Sequence, residues 1–266
     1  MKFSENIVKH REILLNLVKR ELKGKYKDSV LGFLWSILNP FFLAIIYMFF
    51  LRLLVGRGVA TEDVIIGVFA WQFTAQSISG GMSSITGNAT LIKKVYFPRV
   101  ILPLSVVAGN LINYILTIFV QLFLLLLILS WKGSMLGVGL FAMPIVVLYQ
   151  TVFILGMVLL VSSANVYFRD IQHLVNLLLT AWFFMTPAIY NLTFIQPLLD
   201  RFPFLGNLYF LNPMASIITM YRALLLPESA FFWSWGVVLG LVWPLIFLYF
   251  SYRIFQSTQR NFADYV

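Results

Sequence analysis

VILPLSVVAGNLINYILTIFVQLFLLLLILS, residues 100–130, contains no charged side chain. Wound as an α-helix it would be about 46 Å long, longer than the roughly 30 Å hydrocarbon core of a bilayer. Pro103, near its start, predicts a first turn that bends or lies at the interface. The remainder of the chain follows suit. Over 266 residues it is 61% apolar, 17% aromatic and 11% charged, with a mean hydropathy of +0.89. No soluble fold of this length has enough interior to hide so much apolar surface. An all-α integral membrane protein is expected, because helices satisfy their own backbone groups in lipid and these runs are too long for barrel strands.

Working outward, the apolar runs predict six transmembrane helices over residues 33–55, 64–86, 100–130, 138–163, 174–193 and 231–251. Trp71, Trp131, Trp233 and Trp235 fall near predicted ends, where indole rings favour the headgroup layer. Counting Lys and Arg by loop gives fourteen on one side and five on the other. The positive-inside rule then puts both termini in the cytoplasm of a multi-pass inner (plasma) membrane protein. The division expected is a cytoplasmic arm (1–32), a six-helix domain (33–254) and a cytoplasmic tail (255–266). The first apolar run follows a long basic stretch and reads as a retained span rather than a cleaved signal. Net charge +9 therefore reflects topology and not nucleic-acid binding. With no cysteine there is no disulfide, thiolate metal site or cysteine nucleophile.

Residues 4–23 are helical in pattern. Ile7, Leu14, Leu15, Val18 and Leu22 share a face, while Lys9, Lys19, Arg20 and Lys23 lie largely elsewhere. Ser4 suits the start, and Gly24 follows the expected end. The pattern predicts an amphipathic helix at the inner leaflet, although the same face would serve contact with protein.

The predicted spans carry amides, among them Gln72, Gln76, Asn110, Asn113 and Gln150, but no carboxylate, Lys or His. Arg52 sits close enough to a span end to snorkel. Ion-driven carriers and membrane transferases need ionisable groups at such depths, so both are disfavoured. Glu62 and Asp63 read as a solvated outer hairpin, and Asp200 stands alone. No GxxxxGK[ST] phosphate loop occurs. Any uphill transport must draw its energy from a partner.

Two short segments on the basic side are candidates to receive that energy. In the first, Leu91, Lys93 and Lys94 precede Val95, Tyr96 and Phe97, and Pro98 stops the segment. Taken alone it reads better as a basic inner loop obeying the charge rule. The second comprises Tyr167, Phe168, Arg169, Asp170 and His173. Adjacent helical residues diverge by about 100°, so Arg169 and Asp170 can each meet a different partner. They read as a docking or internal bracing pair. His173 lacks an acid at useful spacing and is not a catalytic candidate. On the other side, Asn212–Pro213 is a strong helix start, and residues 195–208 are broken by Pro197, Pro203 and Gly206. Two short re-entrant or interfacial helices between spans five and six are expected.

Four stretches together carry a family likeness: YKDSVLGFLWSILNP (26–40), LIKKVYFPRVILPLS (91–105), FRDIQHLV (168–175) and NPMASIITMYRALLL (212–226). In that order they resemble permease subunits of ABC transporter type 2 polysaccharide exporters, nearest to those for O-antigen and teichoic acid. The resemblance implies a homodimeric pore driven by two ATP-binding cassette subunits, which bind ATP and Mg. Its implied cargo is a polyprenyl-diphosphate-linked polysaccharide. Leu91, Lys93, Lys94, Val95, Tyr96 and Phe97 would then form a coupling helix, with Tyr167 to His173 as a second contact. The outer helices become gate helices, within which Arg222 either meets a passing diphosphate or snorkels to headgroups.

For such a cargo, Trp182, Phe183, Phe184 and Tyr190, with Pro187 bending the fifth span, are candidates to stack on sugar faces. Gln72, Gln76, Asn110 and Asn113 suit a pore or dimer seam, helped by the small residues Gly80, Gly81 and Ser83. Lys23, Lys25 and Lys27 could attract the diphosphate. Competing readings are a permease for small hydrophobic drugs, a membrane enzyme acting on polyprenyl-linked sugars, and a passive channel or scaffold. The enzyme would need clustered acids.

Overall fold

The computed structural model describes residues 10–26, 29–32, 34–55, 60–193, 197, 201–227, 229 and 234–266. Among these residues its regular elements are all helices, without strands. Ser4, Lys27, Trp233 and Asp200 lie outside the described residues, as do the side chain of Arg52 and much of the stretch before Pro203.

Helix α1 (Arg11–Tyr26) precedes α2 (Leu34–Val55) and α3 (Thr61–Met82). A short α4 (Ala89–Lys94) leads into α5 (Ile101–Trp131), which runs for 31 residues as the charge-free stretch requires. Pro103 sits in its first turn, where its missing N–H has no helical acceptor to lose. A 3-10 turn, Val138–Ala142, introduces α6 (Met143–Tyr167). Then come α7 (Ile171–Phe184), α8 (Pro203–Phe210), α9 (Pro213–Leu225) and α10 (Trp235–Thr258). The chain closes through Gln259–Asn261 into α11 (Phe262–Tyr265).

Among the described residues three segments, Ile101–Trp131, Val138–Tyr167 and Trp235–Tyr265, are long and apolar enough to cross a membrane. Helix α3 has the length but sits inside the bundle, packed against α2, α5, α6, α7 and α9. Its small residues make this possible. Gly81 faces Val158 of α6, and Gly80 faces Val106 of α5. The outward faces of α5 and α10 are lined by exposed apolar side chains such as Phe119, Phe123, Leu245 and Phe250, suited to lipid.

Several expectations need correction. The fifth apolar run does not continue to residue 193 as a helix bent at Pro187; α7 stops at Phe184 after 14 residues, about 21 Å. The chain turns through Met185–Ala188 because Pro187 would clash with the carbonyl four residues earlier. Trp71 does not lie near a helix end. Because α3 starts at Thr61, it falls mid-helix and is buried, whereas Trp131 and Trp235 are exposed. Gly24 does not end the arm helix, which runs through it to Tyr26.

Helix α1 packs against α5 and buries Leu17 and Val18. Protein contact therefore covers part of the apolar face expected at the leaflet. Helix α10 continues to Thr258.

Candidate functional site

The helix order gathers the sequence's candidate residues at two ends and along one groove. At one end, α3 leads through α4 into α5, α6 leads into α7, and α10 runs into the last residues. A second apolar cluster fills this end, built from Leu17, Ile85, Ile92, Phe97, Val100, Val166, Phe255 and Phe262. The two candidate coupling segments are anchored in it differently. In the first, Ile92 and Phe97 are buried while Lys93, Lys94, Val95 and Tyr96 face outward, Leu91 being half-buried. In the second, Tyr167 is half-buried and its hydroxyl donates to the Thr258 carbonyl at 3.2 Å. Phe168, Arg169, Asp170 and His173 are exposed. Phe97, expected to be presented with Tyr96, is instead an anchor. Arg169 and Asp170 make no salt bridge among the described residues.

At the opposite end, Asn212 caps α9 as its sequence predicts, its side chain accepting from Met214 N at 3.1 Å. The same oxygen accepts from Trp182 Nε1 at 2.9 Å, tying α7 to α9. Arg222 is buried and pairs with Asp63 at 3.2 Å. Its Nη2 donates to the carbonyls of Asp63 (2.9 Å) and Pro187 (2.7 Å). Arg222 therefore neither snorkels nor faces a path, and Asp63 is not solvated. Each charge is buried because the other is present. Glu62 accepts from Lys132 at 2.8 Å, so the two acids take separate partners.

Between α2, α3 and α7 lies an open groove of about 380 Å³. Tyr47, Trp71, Phe183 and Phe184 supply its rings, and Gln72, Ser79, Asn176 and Thr180 its polar groups. Among the described residues, no Asp, Glu, Lys, Arg or His lines it. Tyr47 and Phe183 lie 5.2 Å apart between centroids, Trp71 and Phe183 5.6 Å, and Trp71 meets Trp182 edge to face at 5.5 Å. Ser79 Oγ donates to Asn176 Oδ1 at 3.2 Å across the α3–α7 contact. Flat rings and neutral hydrogen-bonding groups can hold a hydroxylated, uncharged chain without fixing any one position.

Of the expected path residues, Phe183 and Phe184 line this groove. Trp182 stands behind it against Trp71, and Tyr190 hydrogen-bonds Tyr209 at 3.1 Å outside it. Gln76, Asn110 and Asn113 turn instead into a small cavity between α2, α3 and α5, with Gln72 reaching both spaces. Lys25 donates to the Asn110 side chain, so one basic residue expected to attract anions is engaged within the chain. Asn110 also donates to Val106 O at 3.1 Å, whereas the buried Asn113 Nδ2 has no hydrogen-bond partner among the described residues.

Sequence reasoning missed Tyr47, Ser79 and Thr180 and gave the span amide Asn176 no site role, because their chemistry is ordinary and their meeting depends on helix packing. It also missed how α3, α6 and α9 are joined. Gln150, fully buried, donates to Ala70 O at 2.8 Å and Thr74 Oγ1 at 2.9 Å and accepts from Tyr221 OH at 2.9 Å. A lone amide in an apolar run was the available signal.

The family model for the ABC-2 type transporter matches residues 13–226. An O-antigen export system permease protein from Myxococcus xanthus, RfbA, is 35% identical over 264 residues, covering 97% of this chain and 96% of that one. Two proteins of the same name from Klebsiella pneumoniae are 31% and 30% identical over 255 residues, each covering 91% of this chain and 93% of its own.

Proposed function

The chain belongs to the ABC-2 type transporter family, and from that premise we propose that it is the permease subunit of an exporter for lipid-linked polysaccharide of the O-antigen type. A separate ATP-binding subunit, which binds ATP and Mg, drives it. The names of its relatives support the cargo class. The observation that carries the reading is the groove between α2, α3 and α7.

Asn176 and Thr180 are exposed on α7 beside the exposed Leu174, Leu177 and Leu178. Amides and hydroxyls facing lipid are costly, so at membrane depth they call for a water-filled path or a second protein surface. A second copy of the chain placed against this side closes two grooves into one conduit, with six spans per copy and both termini in the cytoplasm of the inner membrane. The conduit offers rings and neutral polar groups to the glycan and no fixed charge to trap its diphosphate.

In this scheme the end carrying Lys93, Lys94, Tyr96, Phe168, Arg169, Asp170 and His173 faces the ATP-binding pair. Closure of that pair on ATP displaces both segments, which tilts α3, α5, α6 and α7. The opposite end acts as a gate, where α9 is held to α3 and to the turn after α7 by Arg222.

The test is reconstitution of the permease with its ATP-binding subunit in liposomes containing a labelled polyprenyl-diphosphate polysaccharide. ATP-dependent exposure of the label to an enclosed glycosidase is expected. Transport of a small hydrophobic drug but not the glycan, or export by the permease alone on a proton or sodium gradient, would overturn the reading.

A further inference from the structure

The last residues of the chain sit in an unusual place. They extend no helix into solvent; they fold back between the two segments assigned to energy coupling. Phe262 is completely buried, 5.4 Å from Phe255 and 6.4 Å from Tyr167 between ring centroids. Tyr265 closes on Tyr167 at 4.8 Å, edge to face. Helix α11 packs against α4 on one side and the end of α6 on the other. Polar bonds repeat the pattern. Arg99, just after the first segment, donates to the Gln259 carbonyl, and Tyr167, opening the second, donates to the Thr258 carbonyl.

We infer that residues 258–266 are a tie that makes the two coupling segments move as one body, with Phe262 as its central positioning residue. The two segments belong to different helix connections. One joins α3 to α5, the other α6 to α7, and no short stretch of chain links them. A push on exposed Tyr96 would otherwise be taken up by α4 and lost before reaching Arg169. The buried cluster supplies the missing link, because Ile92 and Phe97 from the first segment and Val166 beside the second share it with Phe255 and Phe262. Close-packed interiors deform little and pass displacement on. Leu17 of α1 joins the same cluster, so the arm rides with it.

The inference rests on the coupling role proposed above, and its test separates the two. The chain has no cysteine, so Thr90→Cys and Leu174→Cys, exposed positions flanking the two segments, introduce the only two labelling sites. The labelled permease, spin-diluted with unlabelled chain, is assembled with its ATP-binding subunits in nanodiscs, and the distance distribution is measured by pulsed electron resonance. A single narrow distribution is expected without nucleotide and with a non-hydrolysable ATP analogue.

Phe262→Ala should broaden it at least twofold and lower glycan exported per ATP at least tenfold while hydrolysis persists. Phe262→Leu, which keeps an apolar plug, should restore both. Should Phe262→Ala not assemble, Tyr167→Phe combined with Arg99→Met removes both polar ties and should broaden the distribution. An unchanged width in whichever variant assembles overturns the tie. It does so even if export proves independent of ATP, a separate result that would sink the coupling role instead.

Discussion

Arg222 Nε lies 3.2 Å from Asp63 Oδ1, and the two side chains, 5% and 9% exposed, hold each other inside the bundle. The guanidinium also donates to the Asp63 and Pro187 carbonyls, so one side chain fastens the start of α3, the turn after α7 and helix α9. Removing it strands a carboxylate. Arg222→Ala should cost about 3–5 kcal/mol, read as a fall in the midpoint of thermal unfolding of the purified protein. Arg222→Lys should cost less, because it keeps the charge but cannot fork to three oxygens. A midpoint unchanged in Arg222→Ala would show that the pair holds nothing.

Gln150 offers a second test of buried polarity. Its amide serves Ala70 O, Thr74 Oγ1 and Tyr221 OH, joining α3, α6 and α9. Gln150→Leu keeps the volume and leaves those groups without their partner, at an expected cost of at least about 1–3 kcal/mol. Tyr221→Phe added to Gln150→Leu should then cost less than Tyr221→Phe alone, since the shared bond is already gone. A double-mutant cycle on unfolding midpoints checks this, and strict additivity would contradict it.

These two clusters mark where sequence reading stops. The Asn212 cap is legible because cap and donor are two residues apart. Asp63 and Arg222 are 159 residues apart along the chain, so in sequence each stands alone, one as solvated and one as snorkelling or meeting a diphosphate. The same separation displaces a span boundary. A water-facing Asp63 starts the second span at 64, but the buried pair lets α3 begin at Thr61, which moves Trp71 from an interface into the core. In the fifth run, apolar composition continues past Pro187 and hides the turn that Pro187 imposes. The groove is half legible, from its rings. Asn176 and Ser79 gain meaning only when α3 and α7 pack together.

Phe183 and Phe184 are neighbours with opposite situations. The first is 7% exposed and wedged against Tyr47 and Trp71; the second is 57% exposed at the groove's edge. Phe183→Ala should lose about 3–5 kcal/mol of stability by opening a cavity. Phe184→Ala should stay within about 0.5 kcal/mol yet slow glycan export severalfold, because a ring offered to the conduit is gone. Thermal midpoints and the liposome export assay together decide it. Equal export by Phe184→Ala and the unaltered protein would remove this ring from the path.

Tyr96 extends fully into solvent between Lys94 and the buried Phe97. A large ring held out by an anchored neighbour costs the permease nothing to lose, so Tyr96→Ala should leave its unfolding midpoint alone, within about 0.5 kcal/mol. If that ring seats in the ATP-binding subunit, the variant should co-purify with less of that subunit and export glycan several times more slowly. Full retention of both would detach Tyr96 from the coupling surface.

Gly67 is where α3 passes the turn after α7, and a β-carbon built there would collide with the backbone of Ala188. Backbone cannot swing aside as a side-chain end can, and Ala188 N is already bonded to Thr186 O at 2.7 Å in that tight turn. Gly67→Ala must therefore push the turn outward. The push bears directly on the Pro187 carbonyl that accepts from Arg222. Overpacking of this kind costs about 1–3 kcal/mol. Here it should also loosen the hold on α9, so the variant should unfold earlier and should leak small solutes through the reconstituted complex without ATP. Because Arg222→Ala releases the same hold, adding Gly67→Ala to it should raise the leak little further. If the leaks of the two single variants simply add, the turn and the ion pair act separately and the gate is not fastened through them.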